Sequence, residues 1–403
     1  MNRLPRGCIN VGGSVAISMD RCRKVFMDLF APFGYEPFWP SVLQLLESAW
    51  PHLPLPFRRR LIALNTPYGE PCCLKADLTL AAVAYFASHY APGQQPLRLC
   101  YADRIFKRPE RHENRIESFQ IGAELLGWEG EGADIEILWL LLQWLDGIGL
   151  DQSVLVIGDV TFLQYALTNV KATVAERLST YLQEGNLVAY EKALSTYDIP
   201  EYSYNILKHL PHLKGGEGIL NRGDSLMGSS QHLAPLRKIF HTLDDLGYAE
   251  RITLDLSLIR ELHYYSGPVF HIYACPSGPL IGGGGRYDGL LAEYGLGGQA
   301  IGFAVDLEEI ATLSHHFSTP RSAMIWSALL PPESALKRAS AIFKRGIRGE
   351  ISWNNNEKQS YDSAKERGYE WWINLATEEV TNLKTHKKTP LTLWKRGEIP
   401  CSQ

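Results

Sequence analysis

The sequence predicts an α+β fold: an antiparallel sheet flanked by helices, with a helical insertion at about 170–245 and a small α/β module at the end. Three observations carry that expectation. Strand-like runs gather between Leu97 and Leu126 and between Leu254 and Val305, without the one-for-one alternation with helices that a doubly wound sheet needs. The chain from Phe162 to Leu246 is mostly helical, broken at Gly185, Pro200, Pro211 and Gly215-Gly216. A Ser/Thr/Pro linker, His315–Arg321, then opens a region of different pattern. The expected domains are residues 1–319 and 320–403, within the two or three that about 150 residues per domain suggests for a chain of 403.

Each element has a local cause. Met19–Phe33 carries Cys22, Val25, Phe26, Leu29 and Phe30 at helical spacing, and Gly34-Tyr35-Glu36-Pro37 stops it. Phe38-Trp39-Pro40 is expected as a short strand ending at proline. Leu74–Tyr90 reads as a helix entered at Asp77-Leu78-Thr79. Leu97–Phe106 is extended, Lys107–Asn114 is a charged loop, and Ile116–Leu126 returns antiparallel to the first strand. Asp134–Trp144 is apolar enough to be a buried helix. Val154–Ile157, Leu254–Leu258, Val269–Ala274, Leu280–Gly285 and Ala300–Val305 read as strands. In the last module Ala323–Trp326 and Trp371–Leu375 are strands, the latter buried, and Glu333–Arg345 and Tyr361–Arg367 are helices.

Composition excludes several functions. Net charge −4 and a pI near 6.3 argue against a chain built to coat nucleic acid. Seven cysteines without a C-x-x-C pair suit a reducing cytoplasm and give no structural zinc site. The N-terminus lacks a signal-peptide apolar core, and the most apolar run, Ile135–Leu145, is too short to span a bilayer. No membrane role, cofactor or metal is expected.

Three segments carry the functional signal. In Phe119-Gln120-Ile121-Gly122-Ala123-Glu124, the two polar side chains lie four apart on one face of a strand, with Gly122 between them leaving room for a ligand. Arg260 can pair bidentately with a carboxylate, and Tyr264-Tyr265 add aromatic walls with hydroxyls. Gly282-Gly283-Gly284-Gly285-Arg286-Tyr287-Asp288 permits close approach on an interior strand, yet no G-K-[ST] follows, so it is no phosphate loop. Asp77, taken alone, is a helix N-cap.

Together these segments resemble the histidyl-tRNA synthetase group of class II synthetases over most of residues 1–312. Leu4-Pro5-Arg6-Gly7 is similar to that group's opening, and Gly34-Tyr35 through Pro40 to its dimer-forming first motif. The resemblance puts Asp77 and Thr79 on the ammonium group of histidine, and Gln120 and Glu124 on its amine and imidazole. With Arg260, Tyr264 and Tyr265 these make a histidine pocket. The chain departs from the family at Glu261-Leu262-His263, where the family has Gly-Leu-Asp. Residues 320–403, best matched at Ser363–Tyr369, resemble an abbreviated anticodon-binding domain.

The ATP-handling positions depart further. Lys107 stands at the second-motif arginine and keeps the charge without the planar fork. Pro109 stands where a glutamate would contact adenine, and Glu309 stands at the third-motif arginine with no arginine near it in the sequence. One unit-charge interaction at about 4 Å and an effective dielectric near 20 is worth roughly 4 kcal/mol. Losing it costs about a thousandfold in rate, and reversing its sign costs more. A synthetase-like body without adenylation chemistry resembles the regulatory subunits of ATP phosphoribosyltransferase. That resemblance implies no catalytic residues, a dimer formed through the first-motif region, and a short catalytic subunit as partner in the first step of histidine biosynthesis. It also implies L-histidine as feedback effector. An active histidyl-tRNA synthetase and a tRNA-binding sensor without catalysis stay open as alternatives.

Overall fold

The computed structural model describes residues 4–49, 53, 55–90, 96–109, 115–259, 264–314, 322–327 and 330–395. The chain divides into two compact units, Met1–His316 and Phe317–Gln403.

The first unit opens with α1 (Gly13–Phe30), β1 (Glu36–Pro37), β2 (Leu43–Leu45), α2 (Leu46–Ala49), α3 (Leu55–Arg58), β3 (Ala63–Asn65), β4 (Pro71–Leu74) and α4 (Leu78–His89). It continues with β5 (Leu97–Phe106), β6 (Glu117–Leu126), α5 (Glu131–Gly147) and β7 (Val154–Asp159). Then come α6 (Val160–Ala166), α7 (Ala172–Gln183), α8 (Leu187–Thr196), α9 (Glu201–His209), β8 (Lys214–Gly215), α10 (Gly218–Met227) and α11 (Ala234–Asp245). It closes with β9 (Ile252–Asp255), β10 (Pro268–Tyr273), β11 (Leu280–Arg286), α12 (Asp288–Glu293), β12 (Ala300–Asp306) and α13 (Leu307–Leu313).

Among the described residues, nine strands form one sheet in the order β1-β5-β6-β12-β11-β10-β7-β9-β8. From β5 to β7 every neighbour is antiparallel, and parallel pairs, β1 with β5 and β7 with β9, lie toward the ends. The expected antiparallel sheet flanked by helices is therefore present, with mixed edges. A second sheet, β2-β4-β3, is separate.

α1 packs Phe26 and Phe30 beneath the sheet, where both meet Phe303 of β12. α5 is buried along Ile137, Leu138, Leu140–Leu142, Trp144 and Leu145, as its composition predicts. Its Asp134 is 1% exposed at the side chain and paired with Arg286 of β11. Burial is the largest influence on that carboxyl and raises it to about 6, despite the adjacent guanidinium. Among the described residues, no helix is long and apolar enough to cross a membrane.

Several boundaries differ from those expected, each for a local reason. α1 begins at Gly13, six residues early, because the apolar spacing that marks a helix starts nearly two turns inside it. Phe38–Pro40 is not a strand. Pairing is confined to Glu36–Pro37, with one more bond from the Phe38 N–H to the Cys100 carbonyl, before Pro40 removes the next donor pattern. α4 starts at Leu78 because Pro71–Leu74 is already a strand and Asp77 caps the helix. β9 ends at Asp255, whose Oδ1 accepts from the Ser257 N–H at 3.0 Å and from its hydroxyl at 2.6 Å; this turn replaces the expected strand to Leu258.

The second unit contains β13 (Ser322–Trp326), α14 (Pro332–Phe343), β14 (Arg348–Ser352), α15 (Glu357–Glu366), β15 (Trp371–Asn374), β16 (Glu379–Asn382), β17 (Lys388–Pro390) and α16 (Leu391–Lys395). Its sheet runs β14-β13-β15-β16-β17, the first three strands being parallel. Trp371 and Trp372 are buried as expected, on opposite faces. Trp371 meets Trp394, and Trp372 stacks on Trp326.

Candidate functional site

Period-two geometry places Gln120, Gly122 and Glu124 on one face of β6. β6 lies between β5 and β12, so Glu124 is flanked by Leu99 on one side and Gly302 on the other. Its carboxylate is fully buried. Oε1 accepts from the Thr79 hydroxyl at 2.6 Å and the Tyr101 hydroxyl at 2.8 Å, and Oε2 accepts from the Tyr287 hydroxyl at 2.5 Å. Thr79 is in the first turn of α4, Tyr101 is on β5, and Tyr287 follows β11.

The glycines make this cage possible. A Cβ on Gly302 would lie 1.6 Å from Glu124 Oε2. On β11, a Cβ at Gly284 would come within 2.0 Å of the Gly302 carbonyl oxygen, so close approach of the strands requires glycine there. Gly122 works differently from the sequence expectation. The space over it is filled by the Phe303 carbonyl oxygen, 2.1 Å from where a Cβ would be, and by the Tyr101 ring, whose Cε2 and hydroxyl lie at 2.8 Å, so it admits a neighbouring strand and a tyrosine, not a ligand.

Burial raises the Glu124 carboxyl from 4.5 to about 7, with Asp77 adding repulsion; the three hydroxyl donors oppose the rise without cancelling it. Asp77 caps α4, its Oδ1 accepting from the Leu80 N–H at 2.8 Å. Tyr264 meets Tyr287 edge-on at 5.9 Å and Tyr265 at 5.0 Å, which ties both tyrosines to the cage. Arg260, with Glu261 and His263, lies outside the described residues. Gln120 is half-buried and lines a cavity of about 300 Å³ together with Arg60, Lys107 and Arg115. Lys107 Nζ also sits 4.7 Å above the Phe57 ring.

The structure thus gathers Asp77, Thr79, Glu124, Tyr264 and Tyr265, with Gln120 one β6 face position beyond Gly122. Sequence reasoning missed Tyr101 and Tyr287 as partners of Glu124. Tyr287 follows the glycine run directly and was visible in that string; Tyr101 needs the β5–β6 register, which no spacing supplies.

A larger cavity of about 650 Å³ lies at the head of α13, lined by Ile9, Val11 and Val15 and by Arg115, Asp306, Glu308 and Glu309 among others. Asp306 caps α13 by accepting from the Glu309 N–H at 2.9 Å. Burial, then Asp306, pushes the Glu309 carboxyl up, and Arg115 pulls it down. An arginine therefore does reach this place: Arg115 comes from a distant part of the sequence. Its guanidinium is ion-paired to the buried Glu308.

The histidyl-tRNA synthetase family profile matches residues 10–310. The ATP phosphoribosyltransferase regulatory subunit of Bacillus pumilus is 31% identical over 276 residues, covering 66% of this chain and 71% of that protein. The chain belongs to the histidyl-tRNA synthetase-like family of ATP phosphoribosyltransferase regulatory subunits. A second member of that family, from Bacillus subtilis, is 28% identical over 309 residues, 74% of this chain and 78% of that protein.

Two solved structures show the same fold. An ATP phosphoribosyltransferase regulatory subunit/histidyl-tRNA synthetase from Bacillus halodurans superposes with a TM-score of 0.82 at 23% identity, covering 93% of this chain and 98% of that one. Histidyl-tRNA synthetase from Nostoc sp. PCC 7120 gives 0.78 at 16% identity, over 98% and 100%. The chain therefore has the class II histidyl-tRNA synthetase-like body.

Proposed function

We propose that this chain is the non-catalytic regulatory subunit of an ATP phosphoribosyltransferase, acting in the cytoplasm in the first step of L-histidine biosynthesis. It would make a short-form catalytic subunit active and relay histidine feedback to it. The names of its relatives support the role. The observation that carries the non-catalytic part is the cavity at the head of α13. There, among the described lining residues, Asp306, Glu308 and Glu309 stand with Arg115, whose guanidinium is already paired to Glu308. A triphosphate brought there meets repulsion where bending it requires attraction.

The proposed effector site is Asp77, Thr79, Gln120, Glu124, Arg260, Tyr264 and Tyr265, with L-histidine as ligand. Feedback requires L-histidine to bind one assembly state better than another. Residues 320–403 serve in this reading as an abbreviated counterpart of an anticodon-binding domain.

The test is reconstitution. A short catalytic subunit assayed alone is expected to turn over poorly, to gain activity saturably as this chain is added, and to lose that gain when L-histidine is present. Histidine-dependent exchange of pyrophosphate into ATP by this chain alone would overturn the reading in favour of an active synthetase.

Self-association as a dimer through the first-motif region is supported by an exposed apolar surface. Trp39 is 65% exposed and Tyr68 90%, and Val42, Leu43, Leu45 and Leu64 are exposed nearby. Leu43, Leu45 and Leu64 share one face of the small β2-β4-β3 sheet, since Leu45 and Leu64 both register with Cys72. Trp39→Asp is expected to weaken the dimer roughly thirtyfold, the loss typical of a central tryptophan anchor. Sedimentation velocity across a dilution series reads this directly; an unchanged dimer would place the interface elsewhere.

A further inference from the structure

We propose that Tyr101 and Tyr287 are positioning residues that make Glu124 a proton-linked acceptor, so that occupancy of the effector site is coupled to loss of a proton from this carboxyl. The inference rests on the effector-site reading above and adds its regulation.

The geometry provides two hydrogen-bond arrangements. In the first, Thr79, Tyr101 and Tyr287 all donate to Glu124, an arrangement suited to an ionised carboxylate, which only accepts. In the second, Glu124 carries a proton and must donate. Tyr101 can then turn its own proton to the Phe303 carbonyl oxygen, 3.4 Å from its hydroxyl, and accept from Glu124. The exchange is a proton taken from solvent by Glu124 and a rotation of the Tyr101 O–H; no other bond is made or broken. Tyr101 and Tyr287 are themselves held protonated by burial and by the neighbouring carboxylate, so each keeps a proton to donate, Tyr101 to Glu124 in the first arrangement and to the Phe303 carbonyl in the second.

The surroundings keep the two arrangements close in energy. Full burial favours the neutral acid. From α4, Asp77 adds a negative charge that favours the neutral form, while the Thr79 hydroxyl favours the charged one. On β12, Gly302 lies against the carboxyl and the Phe303 carbonyl reaches the Tyr101 hydroxyl, while Tyr264 reaches the cage through Tyr287. These opposing influences leave the carboxyl titrating at about 7. A ligand presenting an N–H or an ammonium group to this cage favours the charged form and expels the proton.

The test is an infrared titration of the full chain from pH 5 to 9, following the carboxylic-acid C=O band that Glu124→Gln removes. We expect a midpoint near neutrality, raised by about one unit in Tyr101→Phe because a donor to the charged form is lost. Thr79→Val should do the same, and serves if the tyrosine variant folds poorly by circular dichroism. Adding L-histidine should lower the wild-type midpoint by a unit or more. No Glu124 band between pH 5 and 9, or a midpoint indifferent to both folded variants, overturns the proposal. If the midpoint responds to the variants but not to L-histidine, calorimetry separates the causes. Binding without a shift refutes the coupling, whereas absence of binding refutes the effector-site reading itself.

Discussion

Gly302→Ala is expected to destabilise the first unit by on the order of 3 kcal/mol and, on the proposed effector-site reading, to abolish L-histidine binding. The new methyl would sit 1.6 Å from Glu124 Oε2 and 2.7 Å from the Ala123 carbonyl oxygen. Neither neighbour can yield cheaply. The Ala123 oxygen belongs to the β6 backbone, and the Glu124 side chain is fully buried and held by three hydroxyls. Pushing the carboxylate aside breaks those bonds inside the protein, where each unpaired polar group costs about 1–3 kcal/mol. Urea unfolding of the full chain, read beside isothermal titration with L-histidine, checks both halves. An alanine variant as stable as the parent would mean that Glu124 does not occupy this position.

The second large effect is on pH dependence. Glu124 titrates at 4.5 in an ordinary environment and at about 7 in the fold. Its folded pKa lies above its unfolded one, so the folded state binds more protons between these values. Its contribution to stability is complete below pH 4.5, declines as pH rises toward 7, and is gone above it. Two and a half pKa units correspond to about 3 kcal/mol. Asp134, raised to about 6, acts in the same direction, so the quantity to measure is the difference between wild type and Glu124→Gln. Glu124→Gln should gain on the parent by about 3 kcal/mol between pH 4.5 and 7.5. Parallel stability–pH curves for the two proteins would show that the carboxyl is not desolvated.

Much of this was legible in the residues, and the part that was not has a common cause. The long strands β5, β6, β11 and β12 and the buried helix α5 announce themselves by composition and length. The two-residue β1 and the three- and four-residue β2, β3 and β4 do not, because a period of two has no room to show in so few residues. At the candidate site, the Gln120–Gly122–Glu124 face followed from alternation alone. What Glu124 touches did not. Tyr101 meets it through a strand register, Thr79 through the docking of α4, and Tyr287 through the bend after β11. Gly122 was misjudged for the same reason: a gap in one strand was filled from its neighbour. The Arg115–Glu308 pair joins positions 193 apart, a distance over which local pattern says nothing.

The cavity at the head of α13 also measures how far its charge balance lies from one that would hold a nucleotide, on the proposed non-catalytic reading. Among the described residues its charged lining is one positive group, Arg115, against three negative ones, Asp306, Glu308 and Glu309. Exchanging Glu309 for arginine would make two against two and bring the formal sum from −2 only to zero. A visiting nucleotide would still find no surplus of positive charge in this lining. On the proposed non-catalytic reading, giving this lining a net positive charge would take at least two charge-reversing exchanges among these residues.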